Sequence, residues 1–421
     1  MRAGRFALAA LVLNLVGCGG GSSSGVTLEM WAMGREGEVL PELLDEFHRR
    51  HPGIRVEVQQ LPWRSAHEKL LTAFAGDALP DLCQLGNTWN PEFAAVRALA
   101  DLGPRISGSR VIDPADYFPG IWETNRIDGV QVGVPWYVDT RVMFYRKDLL
   151  AAAGWQAPPT TWADWRAAMT AIKGDLGDER FGVLLPLNEF EAPMILALQQ
   201  PEEMLRDGGR YGNFRSADFR KAFSFYLDLF RDGLAPAMSD TAISNVWHEF
   251  DRGYFAFYWS GPWNIGEFKR RLPERSRDRW MTAPLPGPDG PGVSVAGGCS
   301  LVQFRSSRHP EEVWELIEYL SEPATMLRFF RATGNLPPRE SVWQEPELAD
   351  DIYARAFHEQ LQRVRPAPRV PEWERIAERI RLAAEAVAHG KLTLDEALER
   401  LDEQADGMLE KRRALLARED S

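Results

Sequence analysis

The sequence predicts an α/β protein built on a mostly parallel sheet with helices on its faces, and long enough for two domains. Strand-like and helix-like patterns alternate through the N-terminal quarter, as they do where strands are joined by crossover helices. The chain has 421 residues, and roughly 400 of them are enough to bury two separate cores.

The N-terminus predicts an export signal followed by a tether. Arg2 and Arg5 precede an apolar run over 6–16 that is too short to cross a bilayer as a helix. The run ends in Leu-Val-Gly before Cys18. This ending resembles the lipobox of bacterial lipoproteins, which implies removal of residues 1–17 and lipid modification of Cys18. The Gly- and Ser-rich stretch 18–25 is typical of a flexible tether. An ordinary signal peptide with a chance cysteine is the alternative.

Composition and charge exclude several classes of function. The chain carries 61 acidic and 49 basic residues, a formal net charge of −12, without the basic stripe that nucleic-acid-binding proteins use. Its three cysteines are too few for a disulfide scaffold. The seven histidines are scattered, and no Cys/His cluster has the spacing of metal ligands. We therefore expect neither a metal nor another cofactor, and no nucleic-acid partner.

The first part of the chain predicts the strands of a sheet and a binding edge. Apolar alternation predicts strands over 26–31, 54–58 and 81–85. Helices are predicted from residue 38 to the Pro-Gly pair at 52–53, and over 66–76. In such sheets ligands bind at the carboxyl ends of the strands. Those ends fall at 31–36 and 86–90.

The rest of the chain continues the pattern after a change of register at 130–139. Thr161 is predicted to cap a helix with Asp164 as the reciprocal acid, and Thr393 and Glu396 to form a capping box for the last helix. A Pro-rich stretch over 365–371 precedes a helical C-terminus. The remaining predicted strands are 141–145, 181–185, 255–259 and 294–302, and the remaining helices are 147–153, 192–205, 216–232, 311–320 and 323–333.

Eight short motifs in order carry a resemblance to a known family. They are Ala75-Gly-Asp-Ala-Leu-Pro-Asp81, Gly86-Asn-Thr-Trp89, Gly133-Val-Pro-Trp136, Tyr145-Arg-Lys-Asp148, Pro159-Thr-Thr-Trp162, Ser260-Gly-Pro-Trp263, Ala296-Gly-Gly298 and Gly334-Asn-Leu-Pro337. Together they resemble the family 1 extracellular solute-binding proteins, which include the maltose-binding-protein-like sugar receptors of ATP-driven importers. The resemblance runs over 26–409, nearly the whole mature chain.

The resemblance implies a two-lobed periplasmic-binding-protein fold of type II, whose lobes close on a ligand by rotation about a hinge. The first α/β lobe would comprise 26–136 and 297–332, and the second, with the helical C-terminus, 137–296 and 333–421. Each lobe would be a mostly parallel sheet with flanking helices. The crossings then fall at the register change near Trp136 and at Gly297-Gly298.

Sugar recognition selects candidate polar and aromatic residues near the predicted hinge. A sugar ring packs on an aromatic face, and its hydroxyls pair with carboxylates and amides. Glu36 matches a family position that reaches the ligand, and a helix-start carboxylate favoured by the dipole is the alternative. Asn87 and Trp89 match a loop that feeds the site, with core packing as the alternative for Trp89. Asp139 stands where the family often places an acid on a sugar hydroxyl, and a structural pair with Arg141 is the alternative.

Three further tryptophans are aromatic candidates. Trp263, in the Gly-Pro-Trp motif, is the expected stacking platform. Trp136 and Trp259 are added to it, although either residue could belong to a core instead.

Four polar or backbone candidates complete the predicted site. Asn188 and Glu189 follow a second-lobe strand, where a plain turn is the alternative because Asn favours turns. Arg339 could reach the cleft as a charge-assisted donor or form a surface salt bridge. Gly298 would expose backbone amides where a side chain is absent.

The resemblance also places Cys83 and Cys299 on neighbouring strands of the first lobe. A disulfide would require Cα atoms less than about 7 Å apart. Two buried thiols are the expected state.

The predicted function is a non-catalytic receptor that captures a di- or oligosaccharide and delivers it to the membrane permease subunits of an importer. The tryptophan-rich loops point to a gluco-configured sugar. We expect an exported monomer, anchored by lipid to the outer face of the bacterial cytoplasmic membrane or lying in the periplasm. One alternative is a lipid-anchored carbohydrate-active enzyme, with Asp139 and either Glu36 or Glu189 as its two carboxyls. Another keeps the fold and binds a polyamine, a phosphodiester or a peptide.

Overall fold

The computed structural model describes residues 25–177, 179–239 and 242–419. The predicted signal peptide, Cys18 and the tether up to residue 24 lie outside the described residues, so lipid anchoring stays a prediction. Of the helices that are described, none has the length and apolar character needed to cross a membrane.

The strands of the described residues form two larger sheets and three two-stranded ribbons. In chain order they are β1 (Val26–Met33), β2 (Ile54–Leu61), β3 (Leu82–Gly86), β4 (Arg126–Ile127), β5 (Val130–Gln131), β6 (Val134–Asp139), β7 (Val142–Arg146), β8 (Phe181–Leu184), β9 (Leu205–Arg206), β10 (Tyr211–Gly212), β11 (Phe255–Ser260), β12 (Trp280–Ala283), β13 (Ser294–Val295), β14 (Gly297–Gln303) and β15 (Val364–Arg365).

Helices connect and cover these strands. They are α1 (Gly34–Arg50), α2 (Trp63–Ala75), α3 (Asn90–Ala95), α4 (Gly103–Gly108), α5 (Pro119–Glu123), α6 (Lys147–Ala152), α7 (Trp162–Leu176), α8 (Glu191–Leu198), α9 (Ala217–Arg231), α10 (Val246–Asp251), α11 (Trp263–Arg271), α12 (Pro310–Ser321), α13 (Pro323–Thr333), α14 (Pro346–Ala349), α15 (Arg355–Leu361), α16 (Trp373–Ala388), α17 (Leu394–Met408) and α18 (Glu410–Glu419). Short 3₁₀ turns cover Asn87–Trp89, Pro114–Asp116, Glu274–Arg279 and Glu340–Gln344.

The first sheet has five strands in the order β2-β1-β3-β14-β6. β1 runs parallel to β2 and β3, while β14 is antiparallel to both β3 and β6. Four of the five strands therefore share one direction, and the predicted mostly parallel sheet is confirmed. α1 covers it with Leu40, Leu44 and Phe47, which recur at helical spacing and are buried.

The second sheet has four strands in the order β12-β7-β11-β8. β7 is antiparallel to β12 and β11, and β11 is parallel to β8. Helices α7, α8, α9 and α16 contribute to the core on this sheet. The chain passes from the first sheet to the second between β6 and β7, and returns at Ala296 between β13 and β14.

The structure corrects one predicted helix and divides one predicted strand. The sequence predicts an amphipathic helix over 192–205, but α8 ends at Leu198 and the chain enters the β9–β10 hairpin. Residues 192–197 are all buried, so no polar face prolongs the helix. The predicted strand 294–302 changes partners at Ala296, whose amide donates to the Arg365 carbonyl.

Two predicted helix starts are confirmed by their capping bonds. The Thr161 side chain accepts the backbone amide of Asp164, while the Asp164 carboxyl accepts from the Thr161 hydroxyl instead of making the predicted reciprocal bond to the Thr161 amide. Thr393 and Glu396 make both bonds of a capping box, which begins α17 rather than the last helix, because α18 follows it. These caps depend on residues three positions apart, so sequence alone can identify them.

The two described cysteines lie on adjacent strands, as predicted. Cys83 is on β3 and Cys299 on β14. Both are buried free thiols, and burial raises the pKa of each. The expected pair of buried thiols is confirmed.

Residues 334–345, which follow α13, begin on the first sheet. Leu336 forms a β-bridge with Val138 of β6. The chain contacts the second sheet later, where Tyr353 stacks on Trp280 of β12 with ring centroids 4.0 Å apart.

Candidate functional site

A cavity of about 560 Å³ lies between the two sheets. Both sheets contribute to its walls, which is a common arrangement for a small-molecule site. The lining residues are Arg35, Glu36, Trp63, Gly86, Asn87, Thr88, Trp89, Tyr137, Asp139, Arg141, Phe190, Glu191, Met194, Trp263, Val295, Gly297, Gly298, Cys299, Asn335 and Glu374.

The strand directions explain why these residues meet. β1, β3 and β6 point the same way, so their carboxyl ends at Met33, Gly86 and Asp139 lie along one edge of the first sheet. β14 runs in the opposite direction and brings its first residue, Gly297, to that edge. In the second sheet, β11 ends and β7 begins on the cavity side. The cavity therefore occupies the strand-end position that α/β sheets offer to ligands.

A charge cluster stands where the chain first crosses between the sheets. Arg141 Nη1 donates to Asp139 Oδ1 at 2.6 Å, and Nη2 donates to Glu191 Oε1 at 3.3 Å. The guanidinium also lies over the Trp263 indole, 4.8 Å from the ring centroid. Burial raises the pKa of Asp139, although the positive charge of Arg141 acts to lower it. Asp139 both lines the cavity and pairs with Arg141, so the pairing does not remove it as a candidate.

Glu36, in the first turn of α1, is held by a hydrogen bond from Asn335. Asn335 Nδ2 donates to Glu36 Oε1 at 2.6 Å. Gln84 Nε2 donates to the Tyr137 hydroxyl at 2.9 Å, and Tyr137 acts to lower the pKa of Glu36. Burial has the larger effect and raises the pKa of Glu36 above 4.5. Asn335 therefore sets the position of this carboxyl without a ligand.

Three indole rings give the cavity flat apolar faces. Trp63 and Trp89 line the first-sheet side and pack edge to face, with ring centroids 5.9 Å apart. Trp263 lines the second-sheet side and is 38% exposed. A Cβ at Gly261 would overlap the Trp263 ring, so the glycine of Gly-Pro-Trp allows this indole to fold back on the backbone.

The backbone at the start of β14 forms part of the cavity wall. Gly298 has a φ of 131°, a conformation that L side chains rarely adopt. A Cβ there would overlap the carbonyl oxygen of Tyr137 on the adjacent strand. Asn87 Nδ2 donates to the Ala296 carbonyl at 3.1 Å and links the β3 loop to this segment. Close strand packing therefore requires glycine at 298 and leaves backbone facing the cavity.

Glu374 lies in the first turn of α16, which contacts the Asn87–Trp89 turn at the end of β3. Its carboxyl oxygen Oε1 is buried and has no hydrogen-bond partner among the described residues. Burial raises the pKa of Glu374, while Thr88 and His67 act to lower it.

Several sequence-predicted candidates are brought together in this cavity. The candidates that line the cavity are Glu36, Asn87, Trp89, Asp139, Trp263 and Gly298. Because they lie on its wall, a ligand in the cavity could reach them, and their contact with a ligand stays a prediction.

Trp136 and Trp259 are corrected to core residues. Trp136 is 1% exposed and stacks on Phe329, with ring centroids 4.3 Å apart. Its neighbour Tyr137 lies on the other face of β6 and lines the cavity. Trp259 is buried and stacks on Trp165 at 5.0 Å. In each case the side chain lies on the core face of its strand.

Arg339 is corrected to a buried structural residue. Its Nε donates to Asp116 Oδ2 at 2.6 Å, and its Nη1 donates to the carbonyls of Val111 and Ser321 at 2.9 and 2.8 Å. The residue is 7% exposed and does not line the cavity. Neither the ligand contact nor the surface salt bridge expected from the sequence is what this geometry shows.

Asn188 and Glu189 are in the expected loop but not on the cavity wall. The Glu189 amide donates to the Pro186 carbonyl in a turn. The next two residues, Phe190 and Glu191, line the cavity instead. The turn therefore shifts the lining positions two residues along the chain.

Some residues that line the cavity were not predicted from the sequence. Trp63 follows the carboxyl end of β2, and Asn335 lies in the Gly-Asn-Leu-Pro motif, so strand-end position and the motif were available signals. Tyr137 and Glu191 carry no local pattern that separates them from core or surface residues. Glu374 reaches the cavity only because α16 packs beside it.

A second cavity is larger but less suited to this chemistry. It has a volume of about 750 Å³ and lies between the β4–β5 hairpin and residues 365–370. No aromatic side chain of the described residues lines it, and it is not at the strand ends of either larger sheet. Within the described ranges, no group of three or more His, Cys, Asp or Glu residues is arranged to hold a metal ion.

Comparisons with known proteins agree with this architecture. The sequence profile of the family described as bacterial extracellular solute-binding protein matches residues 32–326. The structure of the sugar-binding protein MalE from the phytopathogen Xanthomonas citri is similar, with a TM-score of 0.90 and 53% identity. That match covers 93% of this chain and 99% of the other. The two-lobed type II fold and the family resemblance predicted from the sequence are confirmed.

Two relatives extend the comparison. The diacetylchitobiose binding protein DasA of Streptomyces coelicolor is 24% identical over 97% of each chain. An uncharacterized lipoprotein of Streptomyces antibioticus is 27% identical over 87% of this chain and 84% of its own length.

Proposed function

The chain belongs to the bacterial extracellular solute-binding proteins, and we propose that it is the sugar-binding subunit of an ATP-driven importer. It captures a di- or oligosaccharide between its lobes and delivers it to the permease subunits in the membrane. The observation that carries the proposal is the cavity itself, which combines three indole rings with carboxyl and amide groups from both sheets. Its volume falls within the roughly 300–1,000 Å³ of ordinary small-molecule sites.

The proposed contacts divide by chemistry. Trp263 on one wall and Trp63 with Trp89 on the other offer faces to the C–H surface of a sugar ring. Glu36 and Asp139 offer carboxyl oxygens to its hydroxyls. A gluco-configured sugar fits this proposal because its equatorial hydroxyls leave flat faces to stack.

Closure of the lobes on the ligand follows from the division of the site between the sheets. We keep the predicted crossings near 137 and 297 as part of the proposal. The Leu336–Val138 bridge and the Tyr353–Trp280 stack support a last crossing between 345 and 353 rather than at 333.

A neutral sugar is favoured over a polyamine because three of the four carboxyls that line the cavity already have partners. Asp139 and Glu191 share Arg141, and Glu36 is held by Asn335. A polyamine would need several uncompensated carboxylates. Membership in a family of binding proteins supports a non-enzymatic role.

Export and lipid anchoring at Cys18 belong to the same proposal. The lipobox-like ending and the similarity to a lipoprotein of Streptomyces antibioticus support them. An anchored monomer would remain close to the permease that it supplies.

Titration of the purified protein tests this proposal. Tryptophan fluorescence is recorded while maltose, cellobiose, lactose, glucose, spermidine or glycerophosphocholine is added. We expect a saturable change with a disaccharide, recovered unhydrolysed, because Trp63 and Trp263 are 40% and 38% exposed in the cavity. Saturation by spermidine or glycerophosphocholine alone would contradict the sugar assignment. Cleavage of a disaccharide would contradict the receptor assignment.

A further inference from the structure

Arg141 stands where three groups of the cavity wall converge. Its Nη1 donates to Asp139 Oδ1 at 2.6 Å, and its Nη2 donates to Glu191 Oε1 at 3.3 Å. Its guanidinium carbon lies 4.8 Å from the centroid of the Trp263 ring. Asp139 ends β6, Glu191 begins α8 and Trp263 begins α11. One cationic side chain therefore lies between two carboxylates and an indole that come from three different elements.

The backbone fixes Arg141 in this position, while its partners stay accessible. The Arg141 amide donates to the Ser294 hydroxyl oxygen at 3.2 Å, and that hydroxyl donates to the Arg141 carbonyl at 2.8 Å. The Arg141 side chain is 11% exposed, whereas those of Asp139 and Glu191 are 32% and 27% exposed. All three line the cavity. The two carboxylates are thus open to a ligand, and the guanidinium that they share is largely enclosed.

Two carboxylates beside an aromatic ring form a good environment for an organic cation. The carboxylates accept the N–H donors of an ammonium group, and the face of the ring attracts its positive charge. Arg141 supplies such a cation from within the chain, and a guanidinium does not lose its proton in a protein. A ligand cation at this place would meet a like charge, which disfavours binding.

We propose that Arg141 determines which ligands the cavity accepts: it takes the place of a ligand cation between the two carboxylates and Trp263, so that neutral sugars bind and organic cations do not. The inference rests on the proposed function, since it concerns the choice of ligand at that same cavity. It adds that removal of the guanidinium converts the cavity into a site for a diamine or polyamine.

Isothermal titration of the purified protein with spermidine and putrescine tests the inference. Wild type should show no saturable binding of either amine. Arg141→Met keeps much of the apolar stem and removes the charge with all its donors. It should bind spermidine at least about tenfold more tightly than wild type, because charge-assisted hydrogen bonds and a cation–π contact replace a like-charge contact. Added salt should weaken this binding, since it screens partly exposed charges.

Three variants separate the local pairing from the change in net charge. Arg35→Met is the matched control, because Arg35 also lines the cavity but is 64% exposed and pairs with Glu38. It removes the same unit of charge and should not gain spermidine binding. Arg141→Lys keeps a positive charge and should not gain it either. Arg141→Met combined with Glu191→Gln leaves one carboxylate of the pair and should bind spermidine more weakly than Arg141→Met alone.

Thermal unfolding shows whether each variant is folded and gives a second measure of binding. Spermidine should raise the Tm of Arg141→Met and leave that of wild type unchanged, because a ligand stabilises the state that binds it. If Arg141→Met does not fold, Arg141→Gln replaces it, since glutamine keeps an amide donor without the charge. Failure of both variants to fold would overturn the inference in favour of a structural role for Arg141.

The outcomes distinguish this inference from the proposed function. A folded Arg141→Met that binds spermidine no better than wild type, or no better than Arg35→Met, would overturn the inference alone. Saturation of wild type by spermidine would overturn both, because Arg141 would then not exclude a cation. If wild type binds no disaccharide while Arg141→Met gains spermidine binding, the proposed function fails and the role of Arg141 is supported.

Discussion

Replacing Arg339 by methionine is expected to destabilise the protein without weakening sugar binding. Arg339 is buried and donates to Asp116 and to the carbonyls of Val111 and Ser321. Methionine keeps much of the apolar stem and removes every donor. Breaking a buried ion pair from one side costs about 3–5 kcal/mol. Ser341 still donates twice to Asp116, so we expect about 3 kcal/mol, at the lower end of that range.

Urea unfolding followed by tryptophan fluorescence measures this loss. A change of about 3 kcal/mol raises the unfolding constant roughly 100-fold. Arg331→Met is the matched control, because Arg331 pairs with Glu347 on the surface, where both side chains are about half exposed. An exposed pair contributes at most about 1 kcal/mol. Asp116→Asn added to Arg339→Met should recover part of the loss, because it removes the partly buried charge that Arg339 no longer balances.

The pH dependence of this effect follows from Asp116. Burial alone would raise its pKa, but the Ser341 and Arg339 donors outweigh burial and lower the pKa below 3.8. The folded-state stabilisation is therefore present above the unfolded-state pKa and is lost as the pH falls through the lower folded value. The difference between wild type and Arg339→Met should stay constant at neutral pH and narrow only in acid.

Sugar titration decides whether the structural account of Arg339 is right. The Kd of Arg339→Met for a disaccharide that wild type binds should stay within about twofold, a change of less than about 0.5 kcal/mol. A tenfold higher Kd for Arg339→Met, with an unchanged free energy of unfolding, would refute the structural role and indicate that Arg339 contacts the ligand.

Three more predictions follow from the cavity and its wall. Trp263→Ala should weaken disaccharide binding by about tenfold or more, because it removes the stacking face. Trp136→Phe should lower the unfolding midpoint and leave the Kd unchanged. Equal effects of the two changes on the Kd would contradict the assignment of Trp263 to the site and Trp136 to the core. Gly298→Ala should destabilise the protein by at least about 1–3 kcal/mol, the strain of its backbone conformation, because a Cβ also overlaps the Tyr137 carbonyl; circular dichroism melting measures the shift, and an unchanged melting temperature would count against it. Burial raises the pKa of Glu36, so the folded state binds its proton more tightly than the unfolded state does, and the folded state loses stability as the pH rises from 4.5 through the raised value. Glu36→Gln does not titrate at this position. The free energy of unfolding of Glu36→Gln in urea, relative to that of wild type, should therefore rise over that interval and then level off.

Local patterns predicted much of the fold, and six of the eleven predicted site residues line the cavity. Alternation and helical spacing predicted β1, α1 and β2 to within a few residues, because both depend on near neighbours. The rule that ligands bind at strand ends led to Glu36 and Asn87, which do line the cavity. The Thr393–Glu396 box was found for the same reason, since its two bonds span three residues.

The local pattern could not predict which face of a strand packs against the core, or which polar side chains are buried. Trp136 and Tyr137 are neighbours on one strand, and both are aromatic. Only the packing of Phe329 against one face of β6 shows that Trp136 belongs to the core. Arg339 follows a Pro-Pro pair that suggests an exposed loop. It is buried instead, and it pairs with Asp116 from a distant part of the chain.

The sequence by itself determined the alternation of strands and helices, the helix caps and the strand ends where a ligand can bind, because these depend on the chemistry of residues within a few positions of each other. Only the tertiary structure decided which indoles face the cavity, how Arg141 joins Asp139, Glu191 and Trp263, and that α16 brings Glu374 to the cavity. Those pairings join segments far apart in the chain, and their geometry is set by how the two sheets pack against their helices and against each other.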